Sequence, residues 1–407
     1  MSDVDDPMVM PLSGLRIVEF ASFVAGPSGG MSLAQLGADV IRVDPIGGNV
    51  DYRRWPLAPS GESLYWTSLN RGKRSVSIDV RSASGRELLL ALATAPGPDA
   101  GIVVDNNVGR PWFSYQALAQ RRADVIRVHV EGTASGGAAV DYTVNTAVGI
   151  ADMTGPADSP LPVNHVLPAW DLIAGQTATT ALLAAVRRRD RSGVGSYMRI
   201  ALADVALAAV ANLGWLSEAA QYGDRARHGN YMYGTFGVDF ATADSRRLML
   251  VALTPRQWSA IGIATETSDV FVALENSLSA DFTTDEGRYA HREVIAAVLR
   301  PWFAAHTYDQ AGAALTDAGA LWGPYRTMAG VVADHRAGRA DEAVLVDVEQ
   351  PNVGTVISSS SPIRFDSHYS GSVPAAELGQ HTDEVLAEVL GLSDAELGRL
   401  HDAGTVA

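Results

Sequence analysis

The chain has 407 residues with 46 acidic against 31 basic side chains, a formal charge of -15, which excludes a general electrostatic attraction to nucleic acid or to an anionic membrane. Apolar residues make up 47% and charged residues only 19%, a balance that excludes a disordered or coiled-coil protein and calls for a large buried surface. No cysteine is present, which removes thiol nucleophiles, thiolate metal sites and disulfides together.

A single hydrophobic core stops growing at about 250 to 300 residues, so this length predicts two domains. The N-terminal MSDVDDPMVMPLSG is acidic and lacks the basic-plus-apolar layout of a secretion signal, and a cytoplasmic protein is expected. From Leu15 onward, short β-rich runs (LRIVEF, DVIRV, SVSIDV, GIVVD, VIRVHV) alternate with helical patterns (GMSLAQLG, RELLLALATA). Such alternation predicts βαβ units in a mostly parallel sheet, with ligands at the carboxyl ends of its strands. The first strand runs into AGPSGGMSLAQLG, where Gly26, Gly29 and Gly30 either bring backbone N–H groups toward a ligand or allow a tight turn and close helix packing; the spacing G-x-G-x-x-G is absent.

Residues 171 to 189 give the clearest helical pattern, with Ala174, Ala178, Ala181, Leu182 and Ala185 on one stripe and Arg187, Arg188 and Arg189 at the end where cations suit the helix dipole. Strand YMRIAL follows, then one long apolar helix from about Asp204 to Ala220; the most apolar stretch, Ala201 to Leu216, is short for a membrane span and carries Asp204. The polar segment QYGDRARHGNYMYGTFG precedes a new β pattern, RLMLVAL, and marks a boundary. The predicted organisation is a large domain over 1–220, a small α/β domain over 225–335, and a C-terminal part over 340–407 that returns to the first, with a capping box from Ser393 to Glu396 in its last helix.

The most pointed chemical feature is PAWDLIAG. Asp171 stands at the start of an apolar helix, where an aspartate commonly caps the backbone, and where the positive helix end would also keep a nucleophilic carboxylate ionised. A basic band, DYRRWP with SLNRGKRSVSIDVRS, offers Arg53, Arg54, Arg71, Lys73, Arg74 and Arg81 either to phosphates or merely to solvent. The glycine-tyrosine loop from Gly229 to Gly237 reads as a lid or as a linker, and His165 and His228 as bases or as structural histidines. Neither H-E-x-x-H nor G-x-S-x-G nor a Walker loop occurs, and no cluster has metal-ligand spacing, so no metal site is expected.

Four blocks in order, PLSGLRIVEFASFVAGPSGGMSLAQLGADVIRVDP, SLNRGKRSVSIDVRS, the WD-containing helix with GVGSYMRIALADVAL, and LGQHTDEVLAEVLGLSDAELGRLH, resemble the class III CoA-transferase family from end to end. The resemblance is closest to members that move CoA between two carboxyls of one dicarboxylic acid, at VDYTVN, VNHVLPAWD and HGNYMYGTFGVDF among others. It implies a Rossmann-like large domain, a smaller α/β domain and an interlocked homodimer, acting on the CoA thioester of a small dicarboxylic acid with no cofactor beyond that CoA. Its nucleophile falls on Asp171, and its CoA contacts on or near Val24, Ile78, Arg81, Asn106 and Arg110, with Arg53, Arg54 and Lys73 as further basic contacts. The shielding loop falls on Gly229 to Gly237, including Tyr231 and Gly234, while Tyr142 and Asn145 are expected to orient the dicarboxylate.

Two departures bear on the reaction. The histidine and carboxylate that racemases of the family use as an acid–base pair fall at about Val140 and Thr254, neither of which can shuttle a proton. A basic CoA-contact position falls on Pro45, leaving Arg42, Arg53 or Arg54 to substitute. The competing readings are an intermolecular CoA-transferase with separate donor and acceptor acids, and a non-catalytic CoA-binding protein in which Asp171 only caps its helix; a nicotinamide-dependent dehydrogenase is disfavoured by the missing glycine fingerprint.

Overall fold

The computed structural model describes residues 10–339 and 343–407, so the acidic stretch before Met10 lies outside the described residues. Two compact units are formed. One comprises the described residues through Val148, His165–Ser217 and the C-terminal part ending at Ala407; the other comprises Gly149–Asn164 and the middle of the chain from Glu218 on.

The first unit is built on six strands, β1 (Arg16–Phe20), β2 (Asp39–Asp44), β3 (Arg74–Ser77), β4 (Ile102–Asp105), β5 (Ile126–Glu131) and β6 (Ser196–Ala201), in the order β3-β2-β1-β4-β5-β6. Every pairing is parallel. This matches the predicted α/β class with a Rossmann-like sheet. The chain turns back on itself between β1 and β4, and at such a switch point the loops diverge and leave a crevice beyond the strand ends. Burial runs through successive strand residues rather than alternating, as at Val18, Ile41, Val43, Val76 and Val103, because helices cover both faces of a parallel sheet.

The helices of this unit are α1 (Ala25–Ala34), α2 (Leu64–Leu69), α3 (Ala83–Ala93), α4 (Tyr115–Arg121) and α5 (Asp141–Ala147); after α6 (Ile150–Met153) of the other unit come α7 (Ala169–Ser192) and α8 (Leu202–Asn212), and the chain passes to the second unit within α9 (Trp215–Tyr222). The predicted single helix over 204–220 is two, bent by 65°. Gly214 sits between them at φ +77°, a left-handed conformation that ends one helix and starts the next. No single helix among the described residues is long and apolar enough to cross a membrane.

The C-terminal part packs against the sheet of the first unit. It holds the hairpins β10 (Leu345–Gln350) with β11 (Gly354–Ser359) and β12 (Arg364–Phe365) with β13 (His368–Tyr369), then α16 (Thr382–Leu390) and α17 (Asp394–Asp402). Val385, Leu386, Leu397 and Val406 join Phe20, Ile41, Val76, Ile78 and Leu89 in one core. The edge strand β3 is closed off by this segment: Ser75 N–H donates to His381 Nδ1 (3.1 Å) and Ser77 N–H to Thr382 Oγ1 (3.1 Å). The predicted capping box forms, with Ser393 N–H donating to Glu396 Oε2 at 2.8 Å.

The second unit contains the antiparallel strands β7 (Phe236–Ala241), β8 (Arg247–Ala252) and β9 (Leu321–Pro324). They are packed by α10 (Pro255–Ala264), α11 (Ser268–Leu278), α12 (Asp285–Ala290), α13 (Arg292–Ala305) and α14 (Tyr308–Ala318), with α15 (Met328–Arg336) following. Segment 149–164, within the first span of the sequence reading, joins this unit because the Arg227 guanidinium donates to the carbonyls of Ser159 (2.5 Å) and Leu161 (2.6 Å).

The glycines of the first βα turn serve packing. A Cβ on Gly175 of α7 would lie 2.3 Å from Ser28 Oγ and 2.8 Å from the Ala25 carbonyl oxygen, and one on Gly29 of α1 would lie 2.8 Å from the Gly175 carbonyl oxygen. The two helices therefore cross backbone to backbone, and α7 is fixed in height against the sheet's first loop. Gly175→Ala is expected to destabilise the protein by about 1–3 kcal/mol through overpacking, outweighing a helix-propensity gain of about 1 kcal/mol, as read by denaturant unfolding.

Candidate active site

The head of α7 lies where the chain would place a ligand. Its N-cap position is held by Pro168, whose side chain offers no acceptor to the free N–H groups of the first turn. Asp141, at the start of α5, supplies one from outside the helix: Oδ2 accepts from Trp170 N–H at 2.7 Å and from Asp171 N–H at 3.2 Å. The other oxygen, Oδ1, lies 2.6 Å from His165 Nε2. Asp141 is 1% exposed, so its charge is taken up almost wholly by these partners.

This cap frees Asp171. Among the described residues its carboxylate accepts no hydrogen bond, unlike that of an aspartate capping its own helix. Burial, then the Asp141 carboxylate, push its pKa up to about 6, against the pull of Arg54. The result is an ionised oxygen nucleophile at neutral pH, more basic than an ordinary carboxylate and not neutralised by a partner.

Arg54, the cation acting on Asp171, is exposed, and its guanidinium stands 5.3 Å from the centre of the Tyr65 ring and 5.7 Å from that of Phe23. Tyr65 on α2 is pushed up to about 12 by burial first, with Asp51 and Asp171 adding to it. Phe23 has φ +67°, a left-handed conformation a side chain rarely adopts, and its N–H donates to Asp51 Oδ2 at 2.8 Å. Phe23 and Tyr65 were not singled out from the sequence; an aromatic residue beside Val24 and a YW pair before the basic band were the only signals.

Three of the expected CoA contacts cluster at the switch point. Val24 follows β1, Asn106 follows β4, and Asn106 ties the two loops together, accepting from Ser22 N–H at 3.1 Å and donating to its carbonyl at 2.9 Å. The Arg110 guanidinium stands 5.1 Å from the Phe20 ring, and with no carboxylate to hold it, burial lowers its pKa. Arg53 is exposed beside Arg54. Arg81 is exposed and paired with Asp79 at 2.8 Å, and Ile78 is fully buried, its backbone bridged to Val406.

Other expectations are corrected. Lys73 is not presented to a phosphate: it is 4% exposed, and its ammonium donates to Glu19 Oε1 (2.7 Å), Asn70 Oδ1 (2.9 Å) and the Pro27 carbonyl (2.8 Å), with burial lowering its pKa to about 8. Arg42 cannot substitute at a CoA contact, because it is 1% exposed and forks onto Asp44 at 2.7 and 3.0 Å with Asn70, Glu19 and Asp51 around it. Arg74 pairs with Asp39 and Glu388. Asn145 does not face a dicarboxylate: it is fully buried, and its Oδ1 accepts the Trp170 indole N–H at 3.0 Å, which places it behind the helix head. Tyr142 is half exposed, with its hydroxyl donating to the Val166 carbonyl at 3.0 Å.

The glycine-tyrosine loop belongs to the second unit. Gly229 (φ +58°) and Gly234 (φ +80°) take left-handed conformations there. Two of its N–H groups are already used, Tyr231 on the His228 carbonyl (3.0 Å) and Met232 on that of Gly237 (2.8 Å), and the Tyr231 hydroxyl donates to Glu293 at 2.8 Å. His228 stacks on Tyr289. The racemase positions are inert, Val140 being apolar and Thr254 capping α10 by accepting from Gln257 N–H at 3.2 Å.

The model of CoA-transferase family III matches residues 12–382. The chain belongs to that family. It is 48% identical to a 2-methylfumaryl-CoA isomerase of Chloroflexus aurantiacus over 97% of this chain and 98% of the relative, and 25% identical to a human succinyl-CoA:glutarate CoA-transferase over 98% and 90%. Among solved structures, a CAIB/BAIF family protein from Brucella suis superposes with a TM-score of 0.76 at 26% identity, covering 93% of this chain and 99% of that one. The chain is thus an enzyme of the CoA-transferase type.

Since attack requires an ionised Asp171, kcat/KM is expected to be level above pH 6 and to fall tenfold per pH unit below it. Asp141→Asn keeps an oxygen for the two helix N–H groups but removes the charge that raises Asp171, so the acid limb should move to lower pH, while burial keeps it above the ordinary carboxylate range. A pH–rate profile with its limb unmoved would show that Asp141 does not act on Asp171.

Proposed function

We propose that this enzyme is a 2-methylfumaryl-CoA isomerase, moving CoA within one molecule from the carbon-1 carboxyl of mesaconate to carbon 4. The reading is carried by the Asp171 carboxylate, unbonded and partly desolvated at the head of α7, in a chain 48% identical to an enzyme of that name. Asp171 attacks the thioester carbonyl, forming a C–O bond and expelling CoA thiolate, which leaves a mixed anhydride. Thiolate attacks the aspartyl carbonyl and releases mesaconate. The other carboxylate of mesaconate then attacks the aspartyl-CoA thioester, and the expelled thiolate attacks the carbon-4 carbonyl of the new anhydride, restoring Asp171.

Each step exchanges one acyl bond for another, so no net proton or electron is consumed, and the only carrier required is the CoA of the substrate. Arg54 and Arg110 supply positive charge for the CoA phosphates and the thiolate, as cations not committed to a carboxylate. The oxyanions of the tetrahedral steps need fixed donors such as backbone N–H groups. Tyr142, half exposed and next in sequence to Asp141, is the proposed contact for the dicarboxylate.

Asp171→Ala is expected to lower turnover by at least about 10⁴-fold while CoA binding persists, and activity surviving the change would rule out a covalent carrier at this position. With wild-type enzyme, labelled free mesaconate mixed with unlabelled mesaconyl-CoA should stay out of the thioester pool. Label entering that pool would instead identify an intermolecular CoA-transferase.

The enzyme is proposed to work in the cytoplasm as an interlocked homodimer. Leu207 on α8, Leu213 just after it and Leu216 on α9 are 44 to 62% exposed, apolar surface that a second subunit would cover. Sedimentation equilibrium should give twice the mass of the 42.9 kDa chain, and a monomeric species would contradict the dimer.

A further inference from the structure

Arg71 is a buried cation of the basic band that the chemistry above leaves unexplained. It is 8% exposed, precedes β3, and lies at the amino edge of the sheet, whereas Asp171 belongs with the loops at the carboxyl edge. Its neighbours Lys73 and Arg74 are each paired with carboxylates, but among the described residues Arg71 meets only hydroxyls and a thioether, donating to Ser358 Oγ and, at 3.3 Å, to Ser359 Oγ, with Met31 Sδ at 3.5 Å. Burial lowers its pKa, and no nearby carboxylate acts to raise it.

A buried guanidinium without an anion is costly, because desolvation is not repaid by a counter-charge. The same residue borders a cavity of about 190 Å³, whose walls include Gln35, Gly37, Ser370, Gly371 and Ser372 and, among the described residues, contain no acidic side chain. Two polar atoms of this lining are buried without any partner, Arg71 Nε and Ser370 Oγ. The volume exceeds the roughly 30 Å³ share of one water several-fold, so it accommodates a small polyatomic group.

We infer that this cavity is a binding site for a single small oxyanion, a phosphate- or carboxylate-sized group held by Arg71 and the Ser370 hydroxyl and separate from the acyl-transfer site. A planar guanidinium edge with an adjacent hydroxyl matches the two-oxygen face that such anions present, and charge-assisted bonds of this kind are the strong ones. All of the residues concerned lie in the first unit, so the site is complete within it.

The test is calorimetric titration of the full-length enzyme, first saturated with CoA so that its phosphate subsites are filled, with inorganic phosphate in one arm and formate in the other. One-to-one binding of either is expected, with the arm that binds tighter naming the anion. Arg71→Gln should weaken it by about tenfold or more, the scale of one charge-assisted contact, while Asp171→Ala should leave it unchanged. Should Arg71→Gln fail to give the wild-type far-UV circular dichroism, Ser370→Val, which removes the hydroxyl and keeps the arginine, is expected to weaken binding as well. Absence of binding in both arms, or affinity retained in the substituted protein that folds, would overturn the site.

Discussion

Two backbone N–H groups at the head of α7 need an acceptor, and the residue that meets this need decides what Asp171 can do. Had Asp171 capped its own helix, its oxygens would have been spent on the backbone. Asp141 reaches in from α5 and takes both groups, at 2.7 and 3.2 Å. The same carboxylate then acts through space, and with burial it raises Asp171 to about 6. One side chain therefore both fixes the helix end and keeps the neighbouring carboxylate unbonded and more basic than in water.

The position of that helix end depends in turn on close packing. Gly29 and Gly175 let α1 and α7 meet at backbone distance, while the buried Trp170 is anchored through its indole to Asn145. Below the first loop, Arg42 gathers Glu19, Asp44 and Asp51, and Asp51 holds the left-handed Phe23 in place. Charges that a reader of the sequence would assign to ligand binding are consumed in holding the loops from which ligand binding proceeds. A buried ion network of this kind is sensitive to the loss of any one partner, since the survivor is left desolvated.

The surviving cations divide by environment. Arg54 stays exposed near Asp171 because its side chain lies across two aromatic rings and no carboxylate captures it. Arg110 is similarly uncommitted at the switch point between β1 and β4. Lys73, two residues from Arg71 in the same motif, is wholly internal. Residue type and spacing cannot separate these cases, because strand twist and loop path decide which side of the backbone meets solvent.

By itself the sequence determined the α/β class, the six strands of the parallel sheet and the place of Asp171 at the start of α7, since these follow from local pattern, glycine positions and helix-end preferences. Its blocks also carried the likeness to the CoA-transferase family. Only the tertiary structure decided that Asp141 caps the helix that Asp171 begins, that Asn145 stands behind that helix, that Lys73 and Arg42 are internal, and that one predicted helix breaks at Gly214. The physical reason is separation along the chain: Asp141 and Asp171 are thirty residues apart, and whether a carboxylate caps, pairs or stays unbonded depends on which distant groups the fold delivers to it, and on how much water it leaves there.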